Sequence, residues 1–174
     1  MYPFNTYTVG LELGALKDYC IQYGELKKFS RGDFFETEGI TTHYIGYITK
    51  GHFKYIVKNE TEGKDFVSGF AFDGEFVGDY PNCLSGKTSE VAIVAGTSCK
   101  VYQLAGEELC KLLDSDGMRE LKQTISDHLF SQVYTQYLDT YRMTTRERYK
   151  RLLLRCPEIV QSINLKDIAS YLKV

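Results

Sequence analysis

The sequence predicts an α+β protein: a β-domain through its first two thirds, then a long helix, then a short basic helical end. Three observations predict it. Short runs of β-branched and aromatic residues fill residues 25–104, broken by glycine-bearing turn signals roughly every 8–12 residues, the pattern of an antiparallel sandwich or barrel. No proline interrupts residues 117–141, where apolar residues recur at helical spacing. The charge also changes sign along the chain: residues 1–141 hold 13 Lys+Arg against 20 Asp+Glu, a balance of −7, whereas residues 142–174 hold 8 against 3, a balance of +5.

The elements follow in order. Residues 9–23 carry Leu13, Leu16, Cys20 and Ile21 at helical spacing, which predicts a short amphipathic helix weakened by Gly10 and Gly14. Strand-like runs come next at Tyr44–Ile48, Phe53–Val57, Phe66–Phe70 and Val91–Val94. Turn signals separate them at Gly32, Gly39, Gly51, Gly63, Gly74 and Gly86. Glu107–Leu113 predicts a helix with Leu109, Leu112 and Leu113 inward, and Asp114-Ser115-Asp116 offers caps for the helix that follows.

The long helix would span roughly 35 Å. One stripe on it holds Met118, Leu121, Ile125 and Leu129, and a second face holds Phe130, Tyr134, Tyr137 and Tyr141. A helix apolar on two faces needs two packing partners. One is the chain's own β-domain; the other is the same helix of a second subunit, or else a single larger core buries both. Thr144–Leu154 then reads as a basic amphipathic helix stopped by Cys156-Pro157. Asn164 is a good N-cap, with Asp167 three residues on as in a capping box, for a last helix facing inward through Leu165, Ile168, Ala169 and Leu172.

Composition excludes several classes. Hydrophobic residues make up 43% and charged residues 25%, values of a soluble globular protein. No stretch approaches the ~20 apolar residues of a membrane span, and the N-terminus lacks the regions of a secretory signal. The five cysteines are odd in number and widely spaced without Cys-x-x-Cys, so small buried hydrophobes in a cytoplasmic protein are expected rather than disulfides, zinc or an iron–sulfur cluster. His43, His52 and His128 are the only histidines, and their spacing does not suit the clustered ligands of a cupin-type metal enzyme. No serine-hydrolase elbow, P-loop or dinucleotide fingerprint occurs, so neither an enzyme nor a cofactor is expected. The 14 tyrosines lie mostly at strand or helix-face spacing, which favours packing over base stacking.

The succession resembles the CRP/FNR family of transcription regulators over nearly the whole chain. Phe29–Gly39 looks like the family's early strand–turn–strand–turn, and Ile48-Thr49-Lys50-Gly51 like its strand and glycine turn. Phe72-Asp73-Gly74-Glu75-Phe76-Val77-Gly78-Asp79 looks like the entry to the ligand-cradling cassette. Thr144-Thr145-Arg146-Glu147-Arg148 resembles the opening of the DNA-binding domain, and Leu165–Leu172 the first helix of a helix-turn-helix.

The resemblance implies an antiparallel double-stranded β-helix (jelly-roll) sensor domain at 1–115, a dimerisation helix at 116–141 and the start of a winged helix-turn-helix at 142–174. The implied function is a ligand-responsive, DNA-binding transcription regulator, with DNA, a second subunit and RNA polymerase as partners. A ligand in the family position would lie near Phe76, Gly78, Asp79, Ser89 and Glu90, with Tyr134 or Tyr137 closing the pocket. Arg142, Arg146, Arg148 and Lys166 are the expected contacts to the DNA backbone.

Two departures qualify this. Nucleotide-binding members end the cassette in Arg-Ser or Arg-Thr, whose arginine grips the cyclic phosphate. Here that stretch is Thr88-Ser89-Glu90-Val91, with Lys87 the nearest cation and Asp79 one methylene shorter than the usual glutamate. Cyclic AMP is therefore not the expected effector. A roll that has lost its ligand, leaving a constitutive DNA-binding or protein-interaction module, stays open as the alternative. The base-reading helix should follow Val174, so the sequence is expected to be a piece of a longer protein, and no base-contacting residue is named.

Overall fold

The computed structural model describes residues 4–174. Its strands are β1 (Glu25–Phe29), β2 (Phe34–Glu36), β3 (Tyr44–Lys50), β4 (His52–Asn59), β5 (Lys64–Phe72), β6 (Phe76–Val77), β7 (Ala92–Ala95) and β8 (Cys99–Ala105). The helices are α1 (Gly14–Tyr23), α2 (Tyr80–Ser85), α3 (Gly106–Leu113), α4 (Arg119–Arg142), α5 (Thr145–Arg155), α6 (Ile159–Ser162) and α7 (Leu165–Tyr171). Two four-stranded antiparallel sheets form, in the orders β1-β8-β3-β6 and β2-β7-β4-β5. Successive strands tend to alternate between the sheets, which makes a roll rather than a stack of hairpins.

Alternation along the strands sends one set of side chains between the sheets. Phe35, Ile48, Phe53, Val77, Ile93, Cys99 and Val101 fill that space. The glycine at Gly51 lets β3 return directly into β4: its φ is +89°, and a Cβ there would meet the Ser98 carbonyl at 2.7 Å.

Helices cover both outer faces. On the first sheet, Leu16 and Cys20 of α1, Leu109 and Leu113 of α3 and Ile125 of α4 bury Ile45 and Leu104. Ile21, read as part of the α1 inner face, is 38% exposed instead, because the helix turns it away from the sheet. The long helix starts at Arg119 with Met118 as a cap that makes no side-chain bond. Asp114 and Asp116, expected to cap it, instead hold basic side chains: Lys122 Nζ lies 2.6 Å from Asp114, and Arg119 lies 3.4 Å from Asp116.

The second outer face belongs to β5. Strict alternation would put Val67 opposite Phe70 and Phe72. Ser68 is an extra residue in the β4–β5 ladder, since Tyr55 pairs with Gly69 and Ile56 with Val67. That bulge brings Val67 onto the same face as Phe70 and Phe72. Leu152, Cys156, Ile159, Ile163, Ile168 and Leu172 of the last three helices pack on this face together with Phe4. Helix α5 opens on a full capping box between Thr144 and Glu147. The Asn164 side chain accepts from the Asp167 N–H at 2.8 Å, as the sequence predicts for the start of α7.

The five cysteines are free; four are buried and Cys110 is half-buried. Among the described residues, no helix is long and apolar enough to cross a membrane.

Candidate functional site

The cassette runs from β6 through Gly78, Asp79, α2 and the loop 86–91 into β7. Its backbone enters through a position only glycine tolerates. Gly78 has φ +147°, and a Cβ there would meet the Ile45 side chain and, at 2.6 Å, the Tyr44 carbonyl. From the other sheet, the Tyr55 hydroxyl accepts from the Gly78 N–H at 3.2 Å and reaches its carbonyl at 3.3 Å. Burial pushes the Tyr55 phenol pKa well up, so it stays protonated and serves as both donor and acceptor.

Asp79 is 8% exposed and organises the loop. One of its carboxylate oxygens accepts from Asn82 Nδ2 at 2.8 Å, from the Ser89 hydroxyl at 3.1 Å and, at 3.4 Å, from the Glu90 N–H. Ser89 is pinned again by its backbone: its carbonyl accepts from Gly39 N and its N–H donates to the Ile40 carbonyl, both at 2.8 Å.

Beside this loop lies a buried pair. His43 Nδ1 is 2.8 Å from Glu36 Oε1, and its Nε2 is 2.6 Å from the Lys87 carbonyl. Both partners are acceptors, so a ring carrying both protons satisfies them in full. Burial alone would lower the His43 pKa; the bonds to Lys87 and Glu36, with the negative charge of Glu36 and Asp79, outweigh it and raise the value. The other Glu36 oxygen, Oε2, is buried without a partner. Two buried carboxylates, Glu36 and Asp79, therefore meet at the cassette beside the protonated His43, while the cassette's one lysine, Lys87, is exposed.

The expected ligand residues separate into groups. Asp79, Ser89 and the Glu90 backbone meet in the network just described. Phe76 and Gly78 line a cavity of about 40 Å³ with Tyr7, Ile45, Ile125 and Leu129, an apolar space between β6, α1, α3 and α4. Tyr134 and Tyr137 are 51% and 55% exposed on the outer side of α4 and do not line that cavity. With Phe130 and Tyr141 they leave the second stripe bare in the single chain.

The expected DNA-facing residues also divide. Arg142, Arg146 and Lys166 are exposed, whereas Arg148 is half-buried and turns one amino group to Thr145 Oγ1 at 3.3 Å. Two other basic residues of this segment are engaged by contacts within the chain. Arg151 pairs with the buried Asp139 of α4, and the Arg155 guanidinium sits 4.7 Å from the Phe4 ring centre.

Sequence reasoning missed α2, the Glu36–His43 pair and a second concavity. That concavity is a crevice of about 310 Å³ between the roll and the last helices, lined by Arg31, His52, Lys54, Thr97, Asn164 and Asp167 among others. Only Asn164 and Asp167 form a local motif, and that motif marks a helix start; the other lining residues come from loops and strands far apart in the chain.

The chain matches no family model and no curated protein. Solved structures do share its fold. FixK2 from Bradyrhizobium japonicum superposes with a TM-score of 0.68 at 14% identity, over 87% of this chain and 78% of that one. The c-di-GMP-responsive global regulator CLP of Xanthomonas campestris gives 0.59 at 19% identity, over 82% and 70%. The catabolite activator protein of Thermus thermophilus gives 0.55 at 14%, where the match takes in 77% of this chain and 59% of that one. These are CRP/FNR-family regulators, and the antiparallel β-roll they share with this chain is the one the sequence resemblance implies.

Proposed function

We propose that the chain is the sensing part and helical continuation of a homodimeric, DNA-binding transcription regulator of the CRP/FNR type whose effector is not a cyclic nucleotide. The observation that carries the second half is the acidic cassette. A cyclic phosphate needs donors and positive charge. Here Glu36 and Asp79 are buried carboxylates, the Ser89 and Glu90 N–H groups are already engaged, and no arginine stands in the cassette. The unpartnered Glu36 oxygen calls instead for a ligand that donates, such as an amine, amide or hydroxyl.

The regulator reading rests on the shared fold and on the basic helices that continue past α4. The bare stripe Phe130, Tyr134, Tyr137 and Tyr141 suits the same stripe of a second copy, and in that dimer Tyr134 and Tyr137 would come from α4 to the pocket. Arg142, Arg146 and Lys166 are exposed, which supports their reading as contacts to DNA phosphates, and RNA polymerase is the partner such a regulator would recruit or block. A ligand-independent module is the second reading. It is favoured by the way Asp79 is filled by Asn82, Ser89 and Glu90 while the neighbouring cavity holds only about 40 Å³.

Thermal unfolding of the purified protein with cyclic AMP, cyclic GMP and cyclic di-GMP tests the effector. A ligand present at ~100 times its Kd raises Tm by roughly 5–10 °C in a protein of this size. None of the three should do so, and a shift of that size with any of them overturns the proposal. Selection of bound sequences from random duplex DNA tests the regulator reading. Enrichment of a two-fold-related motif is expected, and its absence from the native full-length protein removes that reading.

A further inference from the structure

The crevice between the roll and the last helices is distinct from the cassette and carries the opposite charge. Its roll wall holds Arg31, His52, Lys54 and Thr97; its other wall holds Asn164 and Asp167. His52 is 8% exposed, yet among the described residues neither of its ring nitrogens has a hydrogen-bond partner. Its ring lies over Gly96, where a Cβ would collide with the imidazole, so the backbone leaves this space for the histidine. The ring nitrogens are not sealed from solvent, so the crevice reaches them and an occupant can supply the partner the protein does not.

The charge around it is uneven. Lys54 Nζ lies 3.2 Å from Asp167 Oδ2 across the crevice, with side chains 26% and 18% exposed. That pair is close to neutral as a unit, while Arg31 has no acidic partner among the described residues. Arg31, Lys54 and Asp167 all lie close enough to act on the charge of His52.

We propose that this crevice binds a small oxyanion-bearing metabolite, a phosphate or carboxylate compound, held by Arg31 and Lys54 with His52 completing its hydrogen bonds. The volume of about 310 Å³ is at the lower end for small-molecule sites. Arg31 supplies the fork that suits an oxyanion, and two hydrogens of the Lys54 ammonium are free to turn from Asp167 to the ligand. Because Asn164 and Asp167 form the second wall, the site is whole only while α7 lies on the roll. An occupant therefore binds the docked arrangement in preference to any other and holds it.

The test follows the backbone amide resonances of Gly32, Gly96 and Asn164 during titration with inorganic phosphate and, separately, succinate at constant ionic strength. Saturable shifts at these amides are expected with at least one of the two, and which one saturates assigns the ligand to phosphate or carboxylate chemistry. Arg31→Ala, at an exposed turn, should weaken that binding about tenfold or more. Lys58→Ala, an exposed cation on the same strand as Lys54, should leave it unchanged. No saturable shift with either probe, or equal loss in both variants, overturns the proposal. The effector screen on the cassette uses different ligands and a different readout, so either proposal can fail alone.

Discussion

The two outer faces of the roll are both roofed by helices, but the roofs are fastened differently. Over β1-β8-β3-β6 the contacts are mainly apolar, through Leu16, Cys20, Leu109, Leu113 and Ile125, with Lys17 over the Tyr47 ring at the margin. Over β5 an apolar patch is joined by cross-links of another kind. Lys54 meets Asp167, the Ser170 hydroxyl accepts from the Val67 N–H at 2.8 Å, and Arg155 lies on the Phe4 ring. An apolar seam is non-directional and belongs to the core. A seam of a few apolar residues plus named polar contacts has a discrete alternative, because every polar group in it can be satisfied by water instead. The first roof is part of the roll's own core; the second is a docked body.

The strongest test of that contrast is Leu109→Ala. Leu109 is fully buried, so its loss should cost about 3 kcal/mol of global stability, measured by urea unfolding. Ile168→Ala, at 2% exposure on the docked side, should cost about 2 kcal/mol, but hydrogen exchange should confine the loss to α5–α7. If Ile168→Ala unfolds the roll along with the helices, the two roofs form one cooperative unit and the contrast fails.

The smallest effect concerns pH and touches neither roof. The folded pKa of His43 is raised above its unfolded value of about 6.5, so its stabilising contribution is complete below that pH and is lost as pH rises through the folded value. Between those limits Tm of the wild type should fall more steeply than that of His43→Gln. Parallel curves would mean that the Glu36–His43 pair does not hold the extra proton.

Much of this architecture was legible in the residues. Alternating β-branched and aromatic runs with glycine turns give the roll, and the inner stripe of α4 follows helical spacing through Ile125. Asn164 declares the start of α7 by its side chain alone. Helix α2 was not legible, because six residues containing Pro81 and Cys83 carry no period. The docking of the last helices was hidden for a different reason. It depends on one extra residue, Ser68, which moves Val67 across the strand, and on Phe4, which sits some 150 residues from its partners in α5 and α7. The same holds for the site. Gly78 and Asp79 are visible as a motif, whereas Glu36, His43 and His52 gain their meaning only from neighbours that other strands supply.

The placement of α7 also bears on solubility. Strand β5 is the outermost strand of its sheet, and Val67 lies on its open margin, where the N–H is answered by Ser170 rather than by another strand. An outer strand with free amides and with Phe70 and Phe72 uncovered is a template on which further strands can add. Whatever lifts α7 from the roll therefore opens a growing edge, and the helix that roofs this strand is also the roll's guard against polymerisation.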